Sequence, residues 1–345
     1  MDSTTPRLEA LDTWLRAQFS NGSGGCTGNY TLAPASADAS FRRYFRITVP
    51  SGSPAKTYVV MDAPREQEDC RPFVHVAGLL HEAGVHAPRV IAADLDQGFL
   101  LLTDLGRQTY LDVLSVDRFD ELFRPANEAL VKWQLATRDG ALPAWDAPRI
   151  RAEMELFVEW FLGRHAGVTL DAKRRAAIDG VFDAIAQRCL SQTQVFVHSD
   201  YMPRNLMVSE TLPGVLDFQD AVTGPIAYDI ASLYRDAFIS WDEEQVLDGT
   251  IRYWDAARRA GLAVPAEFGT FYEDVEWTGL QRHLRILGVF ARLSYRDGKT
   301  HYLEDAPRFI HYVRHTARRY SALSPLIRLL DDLKIGDVAV QGVSF

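Results

Sequence analysis

The stretch VFVHSDYMPRNLMVSETLPGVLDFQDA, residues 195–221, decides how this chain reads. It sets Asp200 after a short apolar run, Asn205 five positions on, and Asp217 twelve positions beyond that, at the end of a second apolar run. Phosphoryl transfer from ATP needs such a set. One carboxylate orients an attacking hydroxyl and takes its proton, while an amide and a second carboxylate hold the Mg²⁺ that bridges the phosphates. Each of the three alone reads as a turn residue, a cap or a strand end; their flanks tie them together. Val195-Phe196-Val197 is β-branched and aromatic, as a buried strand is. Leu206-Met207-Val208 and Val215-Leu216 predict a short hairpin around Pro213-Gly214 that carries the chain on to Asp217.

Working outward, 345 residues at 47% hydrophobic suffice for one large or two moderate domains with real cores. The start, MDSTTPRLEALDTWL, is polar and then amphipathic, with no apolar signal-peptide core, and no run approaches a membrane span, so a cytoplasmic protein is expected. Cys26, Cys70 and Cys189 lack CxxC spacing and read as reduced thiols rather than zinc ligands. A net charge of −9 argues against a nucleic-acid surface and against attachment to anionic lipid. It leaves ATP admissible, because Mg²⁺ and a few arginines offset phosphate charge locally. Lys173-Arg174-Arg175 reads as a solvated helix face.

Leu8, Leu11, Trp14, Leu15 and Phe19 share one face of a helix over 6–20. The connector at 21–29 has glycines but no following Lys-Ser/Thr, which excludes a Walker loop. Strands are expected over 41–49, 57–61, 89–93 and 99–102, with a helix over 68–83 ending at Gly84. After Gly106 the periods become helical, over 108–114, 117–138, 148–165, 171–190 and several more between 227 and 325. The expectation is an α+β chain of two lobes. Residues 1–104 form a small β-rich lobe on the nucleotide side, and 105–345 a larger, mainly helical lobe carrying the catalytic loop, metal site and acceptor site.

With the motif and this order in hand, the chain resembles the aminoglycoside phosphotransferase-like kinases, which have a protein-kinase-like fold. HSDYMPRN matches their H-x-D-x-x-x-x-N loop, and VLDFQDAVTGPIAYDIASL their I-D-[WF]-x-x-A…G-x-x-x-x-D-[LI]-A element. ASFRRYFR at 39–46, VVMDAP at 59–64, LLLTDLG at 100–106 and RILGVFARL at 285–293 are similar to a narrower group. These are bacterial kinases that phosphorylate N-acetylmuramate and N-acetylglucosamine at C1 during cell-wall recycling. The resemblance implies roles. Asp200 is the catalytic base or hydroxyl-orienting group, and Asn205 and Asp217 bind Mg²⁺. His198 and Asp229 brace the loop. Thr103, Asp104 and Leu105 meet the adenine of ATP through backbone groups.

The chain also departs from that pattern. Kinase small lobes carry a strand lysine on the phosphates and a helix glutamate paired with it. Here Met61 or Asp62 stands at the lysine position, and Phe73 falls near the glutamate's. Positive charge is available instead in the segment Ser40 to Arg43. Arg42 or Arg43 is expected to replace the lysine, the competing reading being that they pair with Asp38 or Asp62.

For the acceptor, Asp220, Arg204, Glu155 and Arg285 are candidates. Trp160 is an alternative to Glu155, and Arg282, Arg285 and Arg292 lie on one late helix, read either as salt-bridging with the acidic helical lobe or as supplying one arginine that faces a substrate carboxylate. His81-Glu82 with His86 resembles a zincin helix, but the histidines are five apart with Gly84 between, so metal hydrolysis is rejected. The reading is a monomeric ATP:sugar phosphotransferase acting on a small amino sugar. Its rivals are another small-molecule kinase, for aminoglycosides or amino alcohols, and a degenerate kinase that binds nucleotide and regulates a partner.

Overall fold

A computed structural model describes residues 4–20, 30–36, 41–50, 55–236 and 238–336. In chain order the first elements are α1 (Thr4–Ser20), β1 (Thr31–Ser36), β2 (Arg43–Val49), β3 (Lys56–Asp62), α2 (Arg71–Glu82), β4 (Val90–Asp94), β5 (Phe99–Thr103) and α3 (Tyr110–Val113). Then come α4 (Phe119–Leu135), α5 (Ala147–Leu156), α6 (Ala172–Ser191), β6 (Gln194–Val197), β7 (Leu206–Met207), β8 (Gly214–Val215) and β9 (Val222–Pro225). The last are α7 (Tyr228–Tyr234), α8 (Glu243–Arg259), α9 (Phe268–Asp297), α10 (Ala306–Arg319) and α11 (Ser324–Asp332). The chain divides into two compact units, Met1–Val113 with Leu206–Asp220, and Leu114–Asn205 with Ala221–Phe345.

In the first unit an antiparallel sheet runs in the order β1-β2-β3-β5-β4. Alternation along β2 turns Ile47 and Val49 to one face, where Val60, Phe99 and Leu101 meet them. Leu11, Leu15 and Phe19, one helical turn apart on α1, close over that face. Burying each such side chain contributes about 1.5–3 kcal/mol. The β2–β3 register sets Arg43 opposite Asp62. The expected helix over 68–83 begins three residues late, because Asp69 accepts from the Arg71 amide (3.0 Å) and Pro72 occupies the first turn. Gly84, at φ +71°, ends it as expected. The strand β1, not foreseen from sequence, is an edge strand interrupted at Pro34, so it lacks the alternation that marks a strand.

The second unit is mainly helical, with β6 and β9 paired antiparallel inside it. The single helix expected over 148–165 is α5 running on into a wider π-wound stretch, Phe157–His165. The one expected over 117–138 is α4, preceded by a 3-10 turn at Val116–Arg118. The spine is α9, 30 residues and so about 45 Å long. It is buried nearly continuously from Phe271 to Gly288, polar Gln281, Arg282 and His283 included. At Gly288 the approach is close: a Cβ would fall 2.3 Å from the Leu156 carbonyl carbon of α5. Among the described residues, no helix is long and apolar enough to cross a membrane.

Candidate active site

The buried strand β6 delivers His198-Ser199-Asp200, and Asp229 of α7 holds that turn. Its carboxylate accepts from the amides of His198 (2.7 Å) and Ser199 (3.1 Å). Asp229 is fully buried, and burial pushes its pKa up to about 7 against the pull of those two amides. Ser199 sits at φ +79°, a left-handed conformation that a serine adopts only when its surroundings impose it. The Asp200 amide donates to Nδ1 of His198 (3.3 Å), which makes the buried imidazole a brace of the turn with its proton on Nε2. Tyr201 donates to the Ala126 carbonyl of α4 (2.8 Å). Asn205 Nδ2 donates to the Asp200 carbonyl (3.0 Å), so this amide's nitrogen end faces the turn.

Around Asp200, in the same unit, stands a charged cluster. Arg282 of α9 is the largest fully buried side chain among the described residues, and its Nη2 lies 4.0 Å from Asp200 Oδ1. Arg285, one turn on, donates to Tyr228 Oη (3.1 Å) and lies 3.9 Å from Glu153 of α5. Glu153 is occupied by others: Oε2 accepts from Trp145 Nε1 (3.1 Å) and Gln281 Nε2 (3.0 Å), and Oε1 from Arg149 Nε (3.3 Å).

In the first unit, Leu206 pairs with Val215 and Met207 with Gly214, the short hairpin expected from sequence. Its place is fixed by Val208 N to Gln108 O (2.8 Å) and Val215 N to His86 O (2.7 Å). Gly214 packs closely here: a Cβ would lie 2.9 Å from Leu105 Cδ1 and would have to push that side chain aside. The chain then turns at Asp217, φ +61°. Gln219 donates from Nε2 to Asp217 Oδ1 (3.0 Å) and Asp220 Oδ2 (3.2 Å), and Phe218 packs on Phe73 of α2 (centroids 4.7 Å apart).

The neighbouring arginines of this unit diverge. Arg43 donates through Nε (3.0 Å) and Nη2 (2.5 Å) to the buried Asp62, which also accepts from Arg7 (2.7 Å). Of the two arginines expected at the phosphates, Arg43 is thus committed to the sheet. Arg42 pairs with Glu68 (3.1 Å). Burial works against its charge, but Tyr44, Glu68, Asp220 and Asp217 outweigh it and raise its pKa. Ser40 and Asp38 lie outside the described residues. Asp104 is held by Arg46 through two bonds (2.6 and 3.0 Å) and by the Gly106 amide (3.0 Å). These bonds more than offset the burial that would raise its pKa, and lower it. Thr103 Oγ1 accepts from the Arg89 amide (2.9 Å), and Leu105 is buried.

Two acceptor candidates have environments of their own. Glu155 sits in an ion-pair network with Arg151 (2.8 Å) and Arg175 (2.5 Å), away from Arg285, whose carboxylate neighbour is Glu153 instead. Arg204 is exposed, its guanidinium 4.9 Å from the centre of the Phe238 ring. Sequence reasoning also passed over Glu68 and Tyr228. The signal for Glu68 was an acid just before a helix start, three residues short of where the helix begins. Glu243, Glu276 and His315 are spaced to hold a cation, but Arg235 and Arg319 already pair with these carboxylates.

Residues 31–268 match APH, the phosphotransferase enzyme family. The chain is 49% identical over 336 residues to an N-acetylmuramate/N-acetylglucosamine kinase of Pseudomonas aeruginosa, covering 97% of this chain and 95% of that one. It is 46% identical to a protein of the same name from Neisseria meningitidis serogroup B, covering 96% and 97%. Among solved structures, the GDP complex of aminoglycoside 2'-phosphotransferase-IIIa superposes with a TM-score of 0.59 at 15% identity, covering 90% of this chain and 99% of that one. The fold is therefore the two-lobed, protein-kinase-like one, with a small antiparallel sheet and a larger helical part. On the match over residues 31–268 and the near full-length relatives, the chain belongs to the phosphotransferase enzyme family.

Proposed function

We propose that the protein is an ATP-dependent amino-sugar kinase that phosphorylates the anomeric C1 hydroxyl of N-acetylmuramate or N-acetylglucosamine, a reaction of peptidoglycan recycling. The observation that carries it is the Asp200 turn, which two amide bonds to buried Asp229 hold in a left-handed conformation at Ser199. The acceptor comes from what the relatives are named. In this reading the C1 oxygen attacks the γ-phosphorus, the bond from phosphorus to the β,γ-bridging oxygen breaks, and ADP leaves. Asp200 orients the hydroxyl and receives its proton.

Mg²⁺, when bound, neutralises charge on the phosphates. The residues that would hold it offer hard oxygen donors that suit it: the Asp217 carboxylate, and the side-chain carbonyl of Asn205, whose nitrogen is engaged with the Asp200 carbonyl. Arg42 takes the place of the missing strand lysine, with Glu68 as its counter-ion; their 3.1 Å pair supports that exchange. Arg43 drops out of the phosphate role. The backbone of Thr103–Leu105 is assigned to adenine, and Ser40 to the phosphates. Asp220, Arg204 and Arg285 remain acceptor candidates, while Glu155 is a weaker one than Glu153. The functional division stays at 1–104 and 105–345, in a monomer acting in the cytoplasm.

The test is to incubate purified protein with ATP, Mg²⁺ and each sugar, measure ADP, and examine the product by phosphorus NMR. A phosphate coupled to the anomeric proton is the expected product. Turnover of aminoglycosides or amino alcohols but not of amino sugars would select the rival kinase reading. Tight ATP binding with no turnover on any acceptor would select the regulator.

A further inference from the structure

The α9 face beside Asp200 carries two arginines whose nearest carboxylates stand at the edge of ion-pair distance, 4.0 Å for Arg282 and 3.9 Å for Arg285. Arg282 is 1% exposed, and its Nε and Nη1 have no hydrogen-bond partner among the described residues; its nearest carboxylate is Asp200, at 4.0 Å. Arg285 stands one turn along the same face, with its side chain 28% exposed. Among the described residues it donates to the neutral hydroxyl of Tyr228 (3.1 Å). Its nearest carboxylate among the described residues, Glu153, is 3.9 Å off and already accepts from Trp145, Gln281 and Arg149, while Asp200 adds to the negative field around it. A buried guanidinium lacking a close counter-ion is costly, and that cost is recovered when an anion arrives. Arginine's planar fork suits a carboxylate in particular, which it grips through two parallel bonds.

The two sugars of the proposed reaction differ in this one respect. N-acetylmuramate is N-acetylglucosamine with a lactate ether on the C3 oxygen, so it brings a carboxylate on the same ring as the reacting C1 hydroxyl. We infer that Arg285, steadied by Tyr228 and backed by the buried charge of Arg282, is the residue that recognises the carboxylate of an acidic acceptor sugar and sets its preference over the neutral one. This rests on the amino-sugar reading above.

The experiment compares kcat/KM for N-acetylmuramate, its methyl ester and N-acetylglucosamine in wild-type protein, Arg285→Ala and Arg285→Lys. In Arg285→Ala the acid-to-neutral ratio of kcat/KM should fall about 10- to 100-fold, as expected for losing a charge-assisted hydrogen bond. Arg285→Lys should recover part of it, and the acid-to-ester ratio should collapse in parallel, because the ester has lost the charge that the arginine reads. Equal losses on all three acceptors would overturn the inference and leave the kinase reading standing. If Arg285→Ala does not fold, wild-type protein decides: equal kcat/KM for acid and ester overturns it. Wild-type protein that phosphorylates neither sugar takes down the kinase reading and the inference with it.

Discussion

The turn at Asp200 and the strand start at Arg42-Arg43 both concentrate charge, and they treat it in opposite ways. At Asp200 the supporting groups are removed from water: Asp229 is fully buried, Arg282 nearly so, and the backbone is bent into a left-handed form at Ser199. At Arg42-Arg43 the charges have close counter-ions: the buried Asp62 holds Arg43 and Arg7, and Glu68 holds Arg42. On the proposed reading, a region that positions a proton acceptor is over-determined by buried polar bonds, and a region that would grip a phosphate keeps a cation whose counter-ion can be traded for the ligand.

The sharpest way to break this contrast is at its centre. Asp200→Asn keeps the shape and removes the proposed base, and kcat should fall about 10²- to 10⁴-fold while ATP affinity changes little; retained turnover in steady-state assays would end the assignment. Next in size, Asp229→Ala strands two buried amides and should destabilise the protein by about 2–5 kcal/mol in urea unfolding. The same variant tests the sign of a pH effect. A carboxyl raised from 3.8 to about 7 on folding binds its proton more tightly in the folded chain, so its contribution is fully present below pH 3.8 and is lost as pH climbs toward 7. Wild-type stability should therefore show a fall over that window which Asp229→Ala flattens.

On the other side of the comparison, Arg42→Ala should raise KM for ATP about 10- to 100-fold through loss of charge-assisted bonds. Arg43→Ala should instead lower the melting temperature with little change in KM, because it leaves the buried Asp62 with Arg7 alone. If the two exchange phenotypes, the assignment of the phosphate cation is reversed. The smallest effect should come from Ser199→Gly, which removes the left-handed penalty at φ +79° and adds unfolded-state freedom. A net change within about 1 kcal/mol is expected, with a larger loss in kcat than in stability as the turn loosens.

Much of the Asp200 side was legible because its parts are contiguous: strand, turn, amide and hairpin fall within residues 195–221, where local pattern speaks directly. The helical character of the second unit and the sheet of the first were legible for the same reason of period. What was not legible depended on register and distance. That Arg43 rather than Arg42 faces Asp62 follows from the β2–β3 pairing, which no local pattern states. Glu153 and Arg285 meet only because two helices far apart in the chain pack together. On α5, Glu153 and Glu155 are equally acidic on paper and point to different neighbours. The Pro-interrupted strand β1 shows how an edge element escapes periodicity altogether.

The missing side chain at Gly288 bears on this last point. Gly288 lies one turn beyond Arg285 on α9, and Leu156 one turn beyond Glu153 on α5; the two helices touch there through bare backbone. The contact therefore works as a gauge block for the 3.9 Å gap between guanidinium and carboxylate one turn away. A single added methyl would widen the seam, and on the proposed reading the preference between acidic and neutral sugars should drift before any loss of the chemistry assigned to Asp200.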